Sequence, residues 1–314
     1  MTCHNCKIEA IKAGKDRKGN QRYRCNQCKR RFAEQQEKLL GSMYLNEDKA
    51  LLCLTLLLEG NSIRSIERIT GVAKQTVLNL LLLAGERCER VMGQRIKGVA
   101  VKDVEADEMW GFVGMKKMTK LRKEVTNPFV GDAYTFVAIE RNTKLVLTWH
   151  LGDRDAVTTE AFTEKLDRAT QGHFQLTTDG FLAYPEAVSY SLGTRVDYAQ
   201  LIKVYGKNDH EAEQKYSPPE VVDTTTKVII GSPDPRRICT SIVERGNLSM
   251  RTSIRRLTRL TNGFSKKWDN LRAALALYFA YYNFCRIHSS IRCTPAMESG
   301  LSGHVWTLRE LLAA

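Results

Sequence analysis

The chain has 314 residues, of which 43% are hydrophobic and 26% charged, the balance of a folded protein with room for two or three domains and not of a disordered one. Lysine and arginine number 48 against 35 acidic residues, a net charge of +13 that favours a polyanionic partner, nucleic acid first. The amino terminus lacks the charged-then-apolar order of a secretory signal, and the longest apolar stretch, near Ala50 to Leu58, is too short to span a bilayer. The expectation is a cytoplasmic protein without a membrane partner.

Cys3 and Cys6 form one Cys-x-x-Cys pair and Cys25 and Cys28 another, with 18 residues between them, the spacing of a zinc ribbon. Two such knuckles offer four thiolates for a closed, tetrahedral, structural zinc site, and a reducing compartment disfavours disulfides. About 35 residues cannot bury enough apolar surface to fold alone, so the metal would supply the folding energy. A basic coat running from Lys12 to Arg31, with Arg17 and Lys18 in it, adds DNA contact. The alternatives are four unrelated surface thiols, or His4 in place of one sulfur. Cys53, Cys88, Cys239, Cys285 and Cys293 lack such spacing and read as ordinary buried thiols.

From Asn46 the apolar period is helical. A helix over 47–59 is broken by Gly60 and Asn61, Ser62 caps a second helix running to Thr70, Gly71 turns the chain, and a third helix spans 74–83. Ile63, Ile66, Val72, Val77 and Leu80 supply the inward contacts of a helix-turn-helix. In that arrangement the helix after the turn enters the major groove by its N-terminal residues, which makes Lys74, Gln75 and Asn79 the candidate base readers. A plain helical bundle shares the pattern.

Around Gly98 the period becomes strand-like. Strands are predicted over 104–113, 134–140 and 144–151, a helix over 158–170, a strand over 174–178, a helix over 181–192 and a strand over 195–204. A loop-rich stretch with Pro218, Pro219, Pro233 and Pro235 follows, then helices beginning near Ser241 and Ser265. Three consecutive strands followed by alternating helices and strands is the order of a ribonuclease-H-like α/β domain. The predicted organisation is a zinc ribbon over 1–40, an all-α helix-turn-helix domain over 44–96, an α/β catalytic domain over 98–300 and a tail over 301–314.

Phosphodiester cleavage and transfer need an activated oxygen nucleophile and a stabilised leaving oxygen, which two divalent ions roughly 3.5 to 4 Å apart supply together. Carboxylates from separate elements hold such ions and leave positions open for water and phosphate. Asp107 lies within the first α/β strand among apolar neighbours, where a bare carboxylate is costly without a cation; Asp103 and Glu105 compete with it because they share its strand face. Asp179 ends the 174–178 strand before Gly180, the carboxyl edge where α/β sites gather; an ordinary turn aspartate is the alternative. Glu244 opens a helix, and Arg251, seven residues on, shares its face within about 20°. Glu244 would bind metal while Arg251, and Arg255 one turn further, grip phosphates beside the scissile bond; a solvated Glu/Arg face is the alternative.

With these residues located, the chain resembles the insertion-sequence-one family of bacterial DDE transposases from the ribbon to about residue 270. The resemblance is carried by Asp107-Glu108-Met109-Trp110-Gly111-Phe112-Val113-Gly114, by Thr178-Asp179-Gly180 with Tyr184 after it, and by Val243-Glu244-Arg245-Gly246-Asn247-Leu248-Ser249-Met250-Arg251. It implies a zinc ribbon and helix-turn-helix that bind terminal inverted repeats, followed by a ribonuclease-H-like domain in which Asp107, Asp179 and Glu244 hold two Mg²⁺ or Mn²⁺ ions. It also implies double-stranded DNA, as element ends and target, for a partner, further copies of the chain on that DNA, and a place at the nucleoid. The C-terminal run from Tyr282 to His288 and Thr294-Pro295-Ala296 look more like other DDE transposases and integrases; His288 reads as structural or as approaching the site. Rival readings are a transposase-derived DNA-binding regulator that no longer cuts, and a ribonuclease-H-like nuclease that cleaves without joining.

Overall fold

The computed structural model of the protein describes residues 1–3, 5–16, 21–33, 39–206, 221–258 and 261–314. His4, Arg17, Lys18, Pro218 and Pro219 lie outside the described residues. Two compact units are formed, Met1–Tyr44 and Leu45–Ala314.

In the first unit, β1 (Ile11–Lys15), β2 (Gln21–Arg24) and β3 (Arg31–Ala33) make an antiparallel three-stranded sheet. Its apolar content is slight: Tyr23 stacks on Phe32 with ring centroids 6.0 Å apart, and Cys3 and Cys25 are buried.

The second unit opens with α1 (Glu47–Leu58), α2 (Ile63–Thr70) and α3 (Lys74–Arg95). Asn46 and Ser62 cap α1 and α2 by accepting from the amides of Lys49 and Ser65. Gly71, at φ 70°, closes α2, a left-handed turn that costs glycine nothing. The third helix continues twelve residues past the predicted Leu83 end. Its apolar period persists through Ala84, Cys88, Val91 and Met92, all buried, and Gly85 on it is a point of close approach to Ala273.

The chain then forms β4 (Val99–Ala100), β5 (Asp103–Val113), α4 (Lys117–Arg122), β6 (Gly131–Glu140), β7 (Val146–Gly152), α5 (Ala156–Ala169), β8 (Thr170–Gln171), β9 (Phe174–Thr178), α6 (Tyr184–Ser191), β10 (Val196–Tyr205) and β11 (Val221–Ile230). After these come α7 (Ser241–Ser253), α8 (Trp268–Phe284), α9 (Pro295–Glu298) and α10 (Leu308–Ala313). A six-stranded mixed sheet in the order β11-β10-β9-β5-β6-β7 is the centre of a mixed α/β unit. β5 is central, antiparallel to β6 and parallel to β9.

Several expectations change. The stretch read as loop-rich contains β11, which pairs antiparallel with β10 along the sheet edge; it is exposed for most of its length, so it lacks the alternation that marks a half-buried strand. Ser265 does not start a helix: it is buried and bridges to Val113, its carbonyl accepting from Gly114 N, and α8 starts at Trp268. The segment read as a tail carries α10, opened by a Thr307/Glu310 capping box, with Leu311 and Leu312 buried. Cys53 and Cys88 are buried as read, whereas Cys239, Cys285 and Cys293 are partly exposed.

The helices tie to the sheet through α8. Leu271, Leu275 and Phe279 are buried on it, as are Ala276 and Ala280, because α3 packs on one side and β7 on the other. Buried Asn283 accepts from Val146 N at 3.0 Å and donates to Val146 O at 2.9 Å, completing the start of β7 where no strand continues the ladder.

Candidate functional site

Strand periodicity arranges the site. Along β5, Asp103, Glu105 and Asp107 point to the face covered by α7, while Val104, Ala106 and Glu108 point to the face of α5 and α6. The parallel register pairs Glu105 with Thr177 and Ala106 with Thr178, so one residue further Asp107, in the middle of β5, stands beside Asp179, just past the carboxyl end of β9.

The two competing acids on that face have other partners. Asp103 is held by Arg237 Nε at 3.0 Å and Arg141 Nη1 at 3.3 Å. Glu105 accepts from the amides of Ile242 and Val243, at 2.8 and 3.1 Å, and so seats the N-terminus of α7, where a carboxylate meets the positive end of the helix. Asp107 takes one side-chain bond, from Asn247 Nδ2 at 2.6 Å.

Asp107, Glu108 and Asp179 each offer a carboxylate oxygen within 4.8 Å of the others. Glu108 belongs to the opposite strand face, yet reaches Asp179 because β9 ends at Thr178 and the edge is open to both sides. Its side chain is 2% exposed; Oε1 accepts from Arg154 Nε at 2.7 Å, and Oε2 is buried without a hydrogen-bond partner among the described residues. Arg154 also lies 3.8 Å from Asp179 and stacks over Phe181, 4.2 Å from the ring centroid. Asp179 Oδ1 accepts from Phe181 N at 3.0 Å, and Gln200 Nε2 holds the Asp179 and Phe181 carbonyls.

Glu244 stands in the first turn of α7, outside that trio. It accepts from Thr240 Oγ1 at 2.6 Å and pairs with Lys203 of β10. Its charge still reaches the trio. Burial, then Asp179, then Glu244 push the Asp107 carboxyl up to about 7; burial and Asp179 push Glu108 up to about 8; burial, with Glu244 among the charges, raises Asp179. Crowded carboxylates, partly or fully withdrawn from water, that hold protons above their ordinary range are groups a divalent cation would stabilise. Tyr184 lies beneath, fully buried, its phenol raised by burial and by the charge of Glu108.

Arg251 is engaged within the fold: its guanidinium donates to Trp110 O at 2.8 Å and Leu257 O at 3.1 Å. Arg255 is not one turn further on the same helix, because α7 ends at Ser253 where Ile254 and Leu257 turn inward; it sits exposed in the turn Arg255–Leu257. Lys74, Gln75 and Asn79 are exposed at the start of α3, with Gln75 Nε2 donating to Asn79 Oδ1 at 2.8 Å. His288 Nδ1 accepts from Ser290 N at 3.3 Å, and the charges acting on it are those of Lys144 and Arg286 rather than of the carboxylates.

Sequence reasoning missed Glu108, Arg154, Lys203 and Asn247. Asn247 had a signal, one helical turn after Glu244 on the same face. Arg154 and Lys203 had none, since they meet the acids only through tertiary packing.

In the first unit, Cys3, Cys6, Cys25 and Cys28 bring their sulfurs within 4.8 Å of one another. Two like turns create this. Lys7 N donates to Cys3 O and Lys29 N to Cys25 O, and both lysines sit at φ 58°. Without a cation the thiols compete for protons: hydrogen bonding to Cys28, then burial, pushes Cys6 up to about 12, while the Arg30 amide draws Cys28 down. Four sulfurs in contact with no disulfide among them have the donor set of a structural zinc site.

No family profile and no curated protein matches this chain. Among solved structures it is similar to a piggyBac transposase synaptic complex with hairpin DNA, at 12% identity and a TM-score of 0.35 over 85% of this chain and 70% of that one. It is also similar to a pre-cleavage Mos1 transpososome, at 15% identity and a TM-score of 0.21 over 49% of this chain and 58% of that one.

Proposed function

We propose that the chain is a DDE-type DNA transposase, similar to the insertion-sequence-one family, that cuts element ends and joins their 3′-hydroxyls to target DNA. The observation that carries this reading is the convergence of Asp107 and Glu108, in the middle of β5, with Asp179 at the carboxyl end of the parallel strand β9, with Glu244 presented from α7 within electrostatic reach. The sheet, in which antiparallel β7, β6 and β5 continue into parallel β9 and β10 with antiparallel β11 at the edge, supports a ribonuclease-H-like catalytic domain over 98–300. The α1–α3 arrangement supports a helix-turn-helix over 44–96, and the four sulfurs support a zinc ribbon over 1–40.

Asp107, Asp179 and Glu244 would hold the catalytic cations. A bound pair of Mg²⁺ or Mn²⁺ supplies an activated oxygen nucleophile and charge neutralisation at the leaving oxygen. The chain's own residues do the positioning. Asn247 fixes the Asp107 carboxylate, and Glu105 anchors the turn that carries Glu244. Arg154 and Lys203 offset the repulsion among the acids. Element ends and target DNA are the proposed partners, with further copies of the chain assembled on them.

The test is a strand-transfer assay in Mg²⁺ with the inverted repeats that flank the gene. Free 3′-hydroxyl ends and joined product are expected from the wild-type chain and neither from Asp179→Asn. Cleavage without joining would reassign it as a nuclease, and end binding without cleavage as a regulator.

A further inference from the structure

A second feature of the Leu45–Ala314 unit lies apart from the carboxylates: a cleft of about 830 Å³ between the start of α3 and the stretches 253–256 and 262–267, floored by α8. Its floor is apolar, with Leu58, Leu81, Leu277 and Tyr278 buried along it. Its rim is cationic. Arg64, Lys74, Arg255, Arg256, Lys266 and Lys267 line it against one acid, Asp269, among the described residues.

Arg256 is the telling member. Its Nη1 donates to Ser265 Oγ at 3.4 Å, while Nη2 is buried with no hydrogen-bond partner among the described residues. A buried donor without an acceptor is expensive, and a charged one more so. Burial lowers the Arg256 pKa to about 10, so the group stays cationic at neutral pH and has no acid paired with it among the described residues. One further feature suits a phosphate. Lys266 stands 3.5 Å over the Phe264 ring, an aromatic face with a charge beside it of the kind that lies along nucleic acid strands.

We propose that this cleft is a phosphodiester site that takes the backbone of the DNA, with Arg256 as its buried anion contact. The proposal rests on the reading of the chain as a DNA-processing enzyme and adds a path to it. Ser253, at the cleft, is nine residues beyond Glu244 on α7, roughly 13 Å along the helix. A strand leaving the carboxylates covers that distance in about four phosphates, and the far wall of the cleft is Lys74 and Gln75 of α3. One strand would then join the cutting site to the reading helix.

Binding of a labelled duplex of scrambled sequence to the full chain, titrated at several salt concentrations without divalent metal, tests this. Arg256→Gln should weaken binding about tenfold and flatten the salt dependence by about one counterion, and the double variant Lys266→Ala, Lys267→Ala by about two. Melting of Arg256→Gln should not fall, because the change removes a buried unpaired charge; if it does fall, the exposed lysine pair decides alone. An unchanged salt slope in the lysine pair overturns the proposal. So does poly-glutamate that competes with the duplex as well as unlabelled DNA does, since the cleft would then fit an acidic protein. Binding is read without cleavage, so a flattened slope in a chain that never cuts would sink the transposase reading and keep the cleft, and the reverse result would do the opposite.

Discussion

Asn247 Nδ2 donates to Asp107 Oδ2 at 2.6 Å across the gap between α7 and β5, so the helix that presents Glu244 also sets the rotamer of the carboxylate on the sheet. Neither the strand nor the helix alone defines the site. Because a partner of this kind orients a metal ligand, Asn247→Ala should weaken divalent-cation binding about 10- to 100-fold while leaving DNA binding unchanged. Calorimetric titration of the full chain with Mn²⁺ measures it; equal affinity in the variant would reduce Asn247 to packing.

Asp107→Asn, Asp179→Asn and Glu244→Gln each remove a charge with little change of shape, and each should abolish end cleavage while leaving end binding nearly intact. Glu108→Gln is the informative fourth. With one Glu108 oxygen on Arg154 and the other buried without a partner among the described residues, this substitution should also lower cleavage by at least about tenfold, as loss of a ligand or of its immediate support does. A gel shift beside a cleavage assay separates binding from chemistry, and any variant that still cuts leaves the metal set.

The metal-free protein should lose stability as pH rises from about 4 to about 8. Asp107 and Glu108 keep their protons up to about 7 and about 8 when folded, whereas the unfolded chain releases them near 4, so across this window the native state binds more protons. The slope is at most about 1.4 kcal/mol per pH unit for each proton. Mn²⁺ should therefore raise the melting temperature more at pH 8 than at pH 5.5, and the wild-type minus Asp107→Asn difference should carry the slope. A difference flat with pH would contradict the buried, protonated carboxyl.

Cys25→Ser with Cys28→Ser should release about one zinc per chain and unfold Met1–Tyr44, because the metal supplies the folding energy of so small a unit. Melting of Leu45–Ala314, a separate compact unit, should not change. Elemental analysis with limited proteolysis reads both; wild-type protein purified without zinc yet resistant to proteolysis in this segment would refute the site.

Gly85→Ala should destabilise by about 1 to 3 kcal/mol, since its Cβ would fall 2.5 Å from Ala273 Cα and 2.9 Å from Ala273 O where α3 crosses α8. Gly93→Ala, on the same helix with nothing within 4 Å, should instead gain up to about 1 kcal/mol. Denaturant unfolding of the pair distinguishes packing from propensity, and equal effects would mean the crossing is looser than it stands here.

The features legible in the sequence are those whose physics is local. The Cys-x-x-Cys knuckles close within five residues, and the α1 and α2 caps bond three residues ahead. The alternation of Asp103, Glu105 and Asp107 with apolar neighbours places them on one face of β5. Which acid on that face faces Asp179 was decided only by tertiary structure: the parallel register with β9 brings Asp107 to the open edge, while Arg237, Arg141 and the α7 N-terminus take the other two. Strand β11 escaped reading although eight of its ten residues are β-branched, because an edge exposed on both sides has no hydrophobic period. The roles of the basic residues were equally out of reach. The face of a helix says where Arg251 points, but Trp110 O and Leu257 O, brought in by the sheet and by the turn after α7, decide what its guanidinium bonds to. Arg154 and Lys203, from a loop and a strand far away in the chain, stand against the carboxylates instead. Charge pairing in a folded chain depends on distances through space, and those exist only once the sheet has ordered its strands.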